Sequence, residues 1–394
     1  MTDQEELRRR VADFLAVHDP RSTPAMGWLQ ARYDAGLAWV HFPVGHGGLG
    51  LPRSLQGEVD ELFAAAGGPD NRPRVNMIGL GMAAPTILAF GTEAQKKRFL
   101  RPLWTGEEIW CQLFSEPGAG SDLAALGTRA VRDGDEWVVN GQKVWTSGAQ
   151  NAQWAILVAR TDPDRRKHAG ITYFLCPMSE PGIEVRPLRQ ITGEAEFNEV
   201  FLTDVRISDE WRLGEQGNGW RIANTTLNNE RVAIGGRPVP REDGMIGIVA
   251  RNWREHPERR TPDLHHQLME LWVEAEVARL TSIRLAQKLA AGQEPGPEGS
   301  AMKLTFARIS QALSGLELEL NGADGLRYGD WTMTRPEEVH FLSKDAGHRY
   351  LRAKGNSIEG GTSEILKNVV AERVLGLPAE PRFDKDLPWK ELQR

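Results

Sequence analysis

The sequence predicts an α+β multidomain protein, with an N-terminal all-helical domain over residues 1–107, a middle antiparallel β-barrel-like domain over 108–213 and a C-terminal four-helix bundle domain over 214–394. Apolar residues recur at helical spacing up to about Gly106. The period then shortens to that of strands, in brief runs separated by Gly, Pro and Asp, as far as Leu213. Helical spacing returns after Gly214 and persists.

In the first third, Leu7, Val11, Phe14 and Leu15 share one stripe, Gly45–Gly50 interrupts the pattern, and Leu55–Ala66 resumes it after Pro52 and Ser54. Thr92-Glu93-Ala94-Gln95 fits a capping box that starts another helix. In the middle, Asp133-Gly134-Asp135 between Arg129–Arg132 and Glu136–Val139 is a hairpin signal, and Asn140-Gly141 reads as a second turn before Lys143–Trp145. Further strands fit Trp154–Ala159, Ile171–Pro177, Gly182–Pro187 and Phe197–Ile207. The last third predicts helices over Trp220–Gly235, Pro262–Ala291, Glu298–Asn321 and Glu337–Lys354, with a shorter one over Ser363–Leu375. Pro238, Pro240, Gly244 and Pro257 break any long helix over Arg237–Thr261.

A formal net charge of -6 argues against nucleic acid or an anionic membrane as the main partner. No apolar run reaches bilayer-spanning length, and Asp3, Glu5 and Glu6 replace the basic residues of a leader, so the expected location is the cytoplasm. Two cysteines, Cys111 and Cys176, are too few for a disulfide framework or a cysteine-rich metal site, and no metal is expected. Both read as small buried hydrophobes.

The stretch Trp110–Asp122 is built for a ligand. Gly118 and Gly120 flank one alanine and precede Ser121, so the backbone can approach a bulky anion closely and offer N–H groups to it. It is not a P-loop, since no Gly-Lys-Ser/Thr follows, and Leu123 stands where a dinucleotide fingerprint needs a third glycine. Trp145, followed by Thr146-Ser147, has a flat face suited to stacking on an aromatic cofactor.

With Gly91-Thr92, Gln95-Lys96 and Leu103 before that loop, the order of signals resembles the acyl-CoA dehydrogenases. Asn140-Gly141-Gln142-Lys143 with Trp145, Pro181-Gly182-Ile183, Phe197-Asn198-Glu199-Val200, Gly219-Trp220, Glu230-Arg231 and Gly360-Gly361-Thr362-Ser363-Glu364-Ile365 continue the match. It is strongest to the bacterial branch that degrades varied acyl-CoAs, including sterol side chains. The resemblance implies FAD, removal of one hydrogen from each of the α and β carbons of an acyl-CoA thioester, and an electron-transfer flavoprotein as acceptor. It implies that Leu113 and Ser115 line the flavin, that Gly120 and Ser121 lie by the cofactor phosphates or the pantetheine arm, and that Trp145 lies against the isoalloxazine. Ser147 is expected near the reactive nitrogen, Thr362 and Glu364 reach the cofactor from the C-terminal part, and a backbone N–H at Gly360 donates to the thioester oxygen.

The chemistry needs a carboxylate over the α carbon, with its pKa raised by burial. Glu230, about three turns into the first helix after the β domain and directly before Arg231, matches the position used by part of the family. Glu359 is the alternative, but it stands one residue before the position the better-known branch uses, and such a shift turns the side chain elsewhere. Arg231 is a candidate contact for the substrate. Arg251-Asn252-Trp253-Arg254-Glu255 departs from the family's Arg-x-x-Phe-Gly, and Asn321-Gly322-Ala323-Asp324-Gly325 from its Gly-Gly-x-Gly, segments that grip the FAD of a neighbouring subunit. The sequence therefore admits a homodimer or homotetramer, the base-carrying subunit of a hetero-oligomer, or a flavin monooxygenase or oxidase on the same fold.

Overall fold

A computed structural model describes the chain except residues 1, 236–239, 292–295, 338–341, 343, 382–383, 385 and 393–394, and gives only the backbone of 230–235 and 289–290. The chain divides into two compact units, one of Met1–Arg186, Asn198–Leu227 and Asp384–Arg394, the other of Pro187–Phe197 and Asn228–Phe383.

The first unit opens with α1 (Asp3–Val17), α2 (Ala25–Asp34), α3 (Gln56–Ala65), α4 (Ala84–Phe90) and α5 (Glu93–Thr105). The α1 stripe buries Leu7, Val11 and Phe14 as its spacing requires. α2 carries no legible stripe because one of its inward residues is an arginine. Arg32 is buried, donates to the Leu37 carbonyl at 2.9 Å and to Asp60 at 2.6 Å, and lies over the Phe63 ring at 4.4 Å.

The α5 capping box forms as expected: the Gln95 N–H donates to the Thr92 hydroxyl at 3.2 Å, and the Thr92 N–H donates to the Gln95 side chain at 3.0 Å. The Gln95 amide also donates to the carbonyls of Glu210 and Arg212, at 2.7 and 3.1 Å, so this cap ties the helix to the end of the β region. Thr92→Ala is expected to cost about 1 kcal/mol. Urea denaturation checks this, and an unchanged midpoint would contradict the assignment.

The sheet comprises β1 (Trp110–Leu113), β2 (Arg129–Asp133), β3 (Glu136–Ser147), β4 (Trp154–Arg160), β5 (Ile171–Pro177), β6 (Ile183–Leu188), β7 (Phe197–Ser208) and β8 (Arg212–Leu213). Their order is β6-β7-β3-β2-β4-β5-β8, with β1 on β4. The pairs β2·β3, β4·β5 and β5·β8 are antiparallel, whereas β1 runs parallel to β4, placing Trp110 beside Trp154 and Leu113 beside Leu157. β4 is buried along its whole length, which suits its apolar run Trp154–Ala159; Arg160 closes it with its guanidinium hydrogen-bonded to carbonyls.

The hairpin at Asp133-Gly134-Asp135 is present, with Asp133 opposite Glu136. Asn140-Gly141 is not a turn: β3 continues through it to Ser147. Gly141 serves a close approach, since a Cβ there would lie 2.3 Å from the Thr128 hydroxyl and 2.7 Å from its Cα. That need arises from tertiary packing, so a local turn signal misreads it.

After the sheet come α6 (Gly219–Gly235), α7 (Met245–Glu255), α8 (Pro262–Ala290), α9 (Glu298–Asn321), α10 (Ala346–Ala353) and α11 (Ser363–Arg373). α7 lies inside the span read as broken. Gly244 with φ of 74° starts it and Pro257 follows it, so these residues bound a short helix and do not interrupt a long one. Of the expected Glu337–Lys354 helix, α10 forms the end, capped by Asp345, which accepts from the His348 N–H at 2.7 Å; residues 338–341 and 343 lie outside the described residues. Ile246, Val249, Leu268, Ile309, Leu313, Leu316 and Leu320 form the apolar core of the second unit.

No helix among the described residues is long and apolar enough to cross a membrane, and no three His, Cys, Asp or Glu among them are grouped to hold a metal. Cys111 and Cys176 are buried and free, and burial pushes the Cys176 thiol up to about 12.

Candidate active site

The glycine loop leaves β1 and is anchored at its start by a buried charge. Glu116 accepts from the N–H groups of Gly127 and Thr128, at 2.6 and 2.9 Å, and from the Lys143 ammonium at 2.9 Å. Lys143 is wholly buried on β3 and also donates to the carbonyls of Phe114 and Val158, each at 2.9 Å. Burial pushes the Glu116 carboxyl up, but Lys143 and the two N–H donors more than offset it and hold the group below the usual carboxylate range. Neither residue was singled out as functional from the sequence, although both belong to the motifs quoted there. Their partnership spans 27 positions, which no local pattern reveals.

Glu116 and Ala119 exchange backbone hydrogen bonds of 3.1 and 3.0 Å, so Pro117 and Gly118 project at the tip. Gly118 and Gly120 are exposed, neither has a positive φ, and a Cβ on either would meet nothing of the protein within 4 Å. Neither packing nor backbone conformation demands glycine there. What remains is the close approach of something else to the backbone.

β3 runs beside the loop, its Val144 N–H donating to the Ser115 carbonyl at 2.9 Å. The next residue, Trp145, has a φ of 62° and is 58% exposed. A left-handed bulky residue stores about 1–3 kcal/mol of strain, which its neighbours must hold. Asn198 of β7, fully buried, does so: its amide donates to the Thr146 carbonyl at 3.0 Å and to the Gln150 side chain at 2.8 Å. The Thr146 hydroxyl is buried without a hydrogen-bond partner among the described residues. An exposed aromatic ring, two bare glycines and an orphaned hydroxyl fit a flat cofactor bearing phosphates. Ser115 and Ser147 are half-buried and Ser121 is exposed, while the Leu113 side chain is fully buried in the β core, so only its main chain is available to a ligand.

In the same unit, the hydroxyl of Thr226 on α6 meets those of Thr86 at 2.9 Å and Tyr173 at 3.1 Å. Thr226 stands one helical turn before Glu230. The side chains of Glu230 and Arg231 lie outside the described residues.

The second unit contains the remaining candidates. Gly360 and Gly361 have φ of 62° and 96°, a double left-handed turn that only glycine adopts without strain. Thr362 then caps α11, accepting from the Ile365 N–H at 3.3 Å, and Glu364 is exposed in its first turn. The Lys303 ammonium donates to the Gly361 carbonyl at 2.7 Å. Both oxygens of Glu359 are taken by the buried Arg352 guanidinium, at 3.0 and 2.9 Å. Arg352 also lies 3.2 Å from buried Glu196, whose carboxyl burial pushes up while Arg352 opposes the shift.

The first unit thus sets an exposed aromatic ring beside a glycine loop, within a chain whose elements run helices, then sheet, then helices. The chain matches the acyl-CoA dehydrogenase N-terminal domain over residues 2–107, the middle domain over 111–205 and the C-terminal domain over 217–375. It is 38% identical to the acyl-CoA dehydrogenase IpdE1 of Mycobacterium tuberculosis, over 97% of this chain and 100% of that protein. It is 39% identical to the acyl-CoA dehydrogenase FadE34 of the same organism, over 95% of this chain but 48% of FadE34, so it spans about half of that relative's length. Among solved structures, the steroid ACAD Tcur3481-Tcur3483 superposes with a TM-score of 0.72 at 27% identity, covering 95% of this chain and 97% of that one. The chain belongs to the acyl-CoA dehydrogenase family, whose members are FAD-dependent oxidoreductases acting on acyl-CoA.

Trp145→Ala removes the exposed aromatic ring. The expected result is an FAD dissociation constant raised about tenfold, read from flavin fluorescence on dilution. Unchanged affinity would contradict a stacking role.

Proposed function

We propose that this chain carries out the α,β-dehydrogenation of an acyl-CoA thioester to the trans-2-enoyl-CoA, passing the electrons to an electron-transfer flavoprotein. The observation that carries the proposal is the pairing of the bare glycine loop with the exposed, left-handed Trp145, whose neighbour Val144 donates to the Ser115 carbonyl at the start of that loop. Bound FAD supplies the two-electron acceptor for the hydrogen that leaves the β carbon. Ser115, Gly120, Ser121, Trp145 and Ser147, the main chain at Leu113, and Thr362 with Glu364 hold it. Ser121 and Arg231 are assigned to the CoA ester, and the Gly360 N–H donates to the thioester oxygen, where negative charge develops as the α-proton departs.

Glu230 takes that proton. The rival, Glu359, has each carboxylate oxygen hydrogen-bonded by the buried Arg352 guanidinium, so turning it toward a substrate would break that bidentate ion pair, and this supports Glu230. A bulky acyl group of the steroid kind is the preferred substrate class, by analogy with Tcur3481-Tcur3483.

The active form is an oligomer. Met269, Val273, Val277 and Leu280 on α8 are exposed at helical spacing, an apolar stripe suited to another subunit. A hetero-oligomer has its own support: Arg254, where the family's FAD-gripping pair would begin, is held by Glu242 through two hydrogen bonds of 2.8 Å. The test is to incubate the purified chain with straight-chain and steroid side-chain acyl-CoAs and an artificial electron acceptor, following each thioester by mass spectrometry. A loss of two hydrogens from at least one is expected. Unchanged mass for all, from protein that holds FAD, would sink the proposal.

A further inference from the structure

The match to the C-terminal family domain ends at residue 375, so it gives no account of the chain beyond. Part of that remainder, from Asp384, packs back within the first unit. Trp389 donates its N–H to the Arg165 carbonyl at 2.8 Å, Lys390 donates to Pro163 at 3.1 Å, and Arg166 pairs with Pro388 as an antiparallel bridge. Arg166 meets Asp386 at 2.9 Å, and Lys390 pairs with Asp164. The tail is therefore tied to residues 163–166 by one bridge at Pro388 and by the short 3-10 turn Trp389–Glu391 that follows it.

Two of its contacts reach the end of the glycine loop. The Lys167 ammonium, nearly buried, bridges Asp122 at 2.8 Å and Asp384 at 2.6 Å. Asp122 directly follows Ser121. The Trp389 indole donates to the Ala125 carbonyl at 3.2 Å and lies with its ring centre 4.6 Å from the Arg160 guanidinium. That guanidinium in turn donates to the carbonyls of Ala124 and Leu126, at 2.6 and 3.2 Å, and of Lys167 at 2.6 Å. Glu116 and Lys143 hold the start of the loop. Lys167, Arg160 and the tail hold its end.

We propose that residues 384 and 386–392 form a strap that orders the glycine loop for its cofactor, with Lys167 as the positioning residue that transmits the restraint to Asp122. The proposal rests on the reading that this loop binds FAD. A loop whose backbone N–H groups receive an anion binds better when its conformation is already set, because less ordering entropy is lost on binding. An ammonium shared by two carboxylates is a charge-assisted link of the stronger kind.

The test compares the full chain with a truncation after residue 383, with Lys167→Met, with Lys167→Arg and with Asp384→Asn. FAD dissociation constants come from flavin fluorescence, and amide hydrogen exchange is followed over residues 116–126 and over β4 and β5. Truncation and Lys167→Met are expected to raise the dissociation constant about tenfold and to speed exchange over 116–126 while β4 and β5 stay protected; Lys167→Arg is expected to retain most of the affinity. Wild-type affinity and exchange in both weakened variants would overturn the proposal. If the truncated chain does not fold, Asp384→Asn decides: faster exchange over 116–126 with weaker FAD binding supports the strap, and no change in either overturns it. A full chain that binds no FAD refutes the cofactor reading itself, and exchange over 116–126 then decides for or against the strap alone.

Discussion

Replacing Glu230 by Gln is expected to leave FAD bound and to slow anaerobic flavin reduction by acyl-CoA about 10²–10⁴-fold, the range a positioned general base contributes. The amide has nearly the shape of the carboxylate but cannot accept the α-proton, so cofactor binding and folding stay while proton abstraction fails. Glu359→Gln provides the contrast. Its carboxylate balances Arg352, and its loss leaves that guanidinium with Glu196. The expected consequence is reduced stability, with flavin reduction persisting. A Glu230→Gln protein that reduces at the parent rate, measured by stopped-flow absorbance, would transfer the role to another residue.

Lys143→Met is expected to destabilise the fold by about 3–5 kcal/mol, because it removes a wholly buried ammonium and leaves the nearly buried Glu116 charge without its cation. Three acceptors lose the Lys143 donor at once: Phe114, Val158 and Glu116. Since Glu116 fixes the start of the glycine loop, loss of FAD should accompany the loss of stability. The sign with pH follows from the depressed carboxyl of Glu116. Its stabilising contribution is complete above the unfolded value of about 4.3 and is lost as pH falls through the lower folded value. The gap between parent and variant in urea denaturation should therefore narrow in acid. A Glu116→Gln/Lys143→Met pair should be more stable than Lys143→Met alone. A cost below about 1 kcal/mol for Lys143→Met would contradict the assigned role.

How much of this was legible in the sequence depended on the range of the interactions involved. The Thr92 cap and the Asp-Gly hairpin could be read because their partners lie within three residues. Asn140-Gly141 carried the same local signal and misled, since Gly141 answers to Thr128 across the sheet. α2 was hidden because Arg32 is buried against Phe63 yet counts as polar in any periodicity. At the candidate site, the bare glycines and Trp145 stood out by residue type. The groups that hold them did not: Lys143 on Glu116, Asn198 on Thr146 and Lys167 on Asp122 each join positions tens of residues apart. Leu113 shows the converse, a motif residue whose side chain belongs to the core. The capture of Glu359 by Arg352 likewise emerges only when α10 folds beside the double-glycine turn.

The most direct test of the central claim is an anaerobic titration of the purified, FAD-loaded protein with a panel of acyl-CoAs, recording the oxidised flavin band. The account predicts stoichiometric loss of that band with at least one thioester and none with the corresponding free acid. A band that stays unchanged with every thioester, while the flavin remains bound, would contradict it.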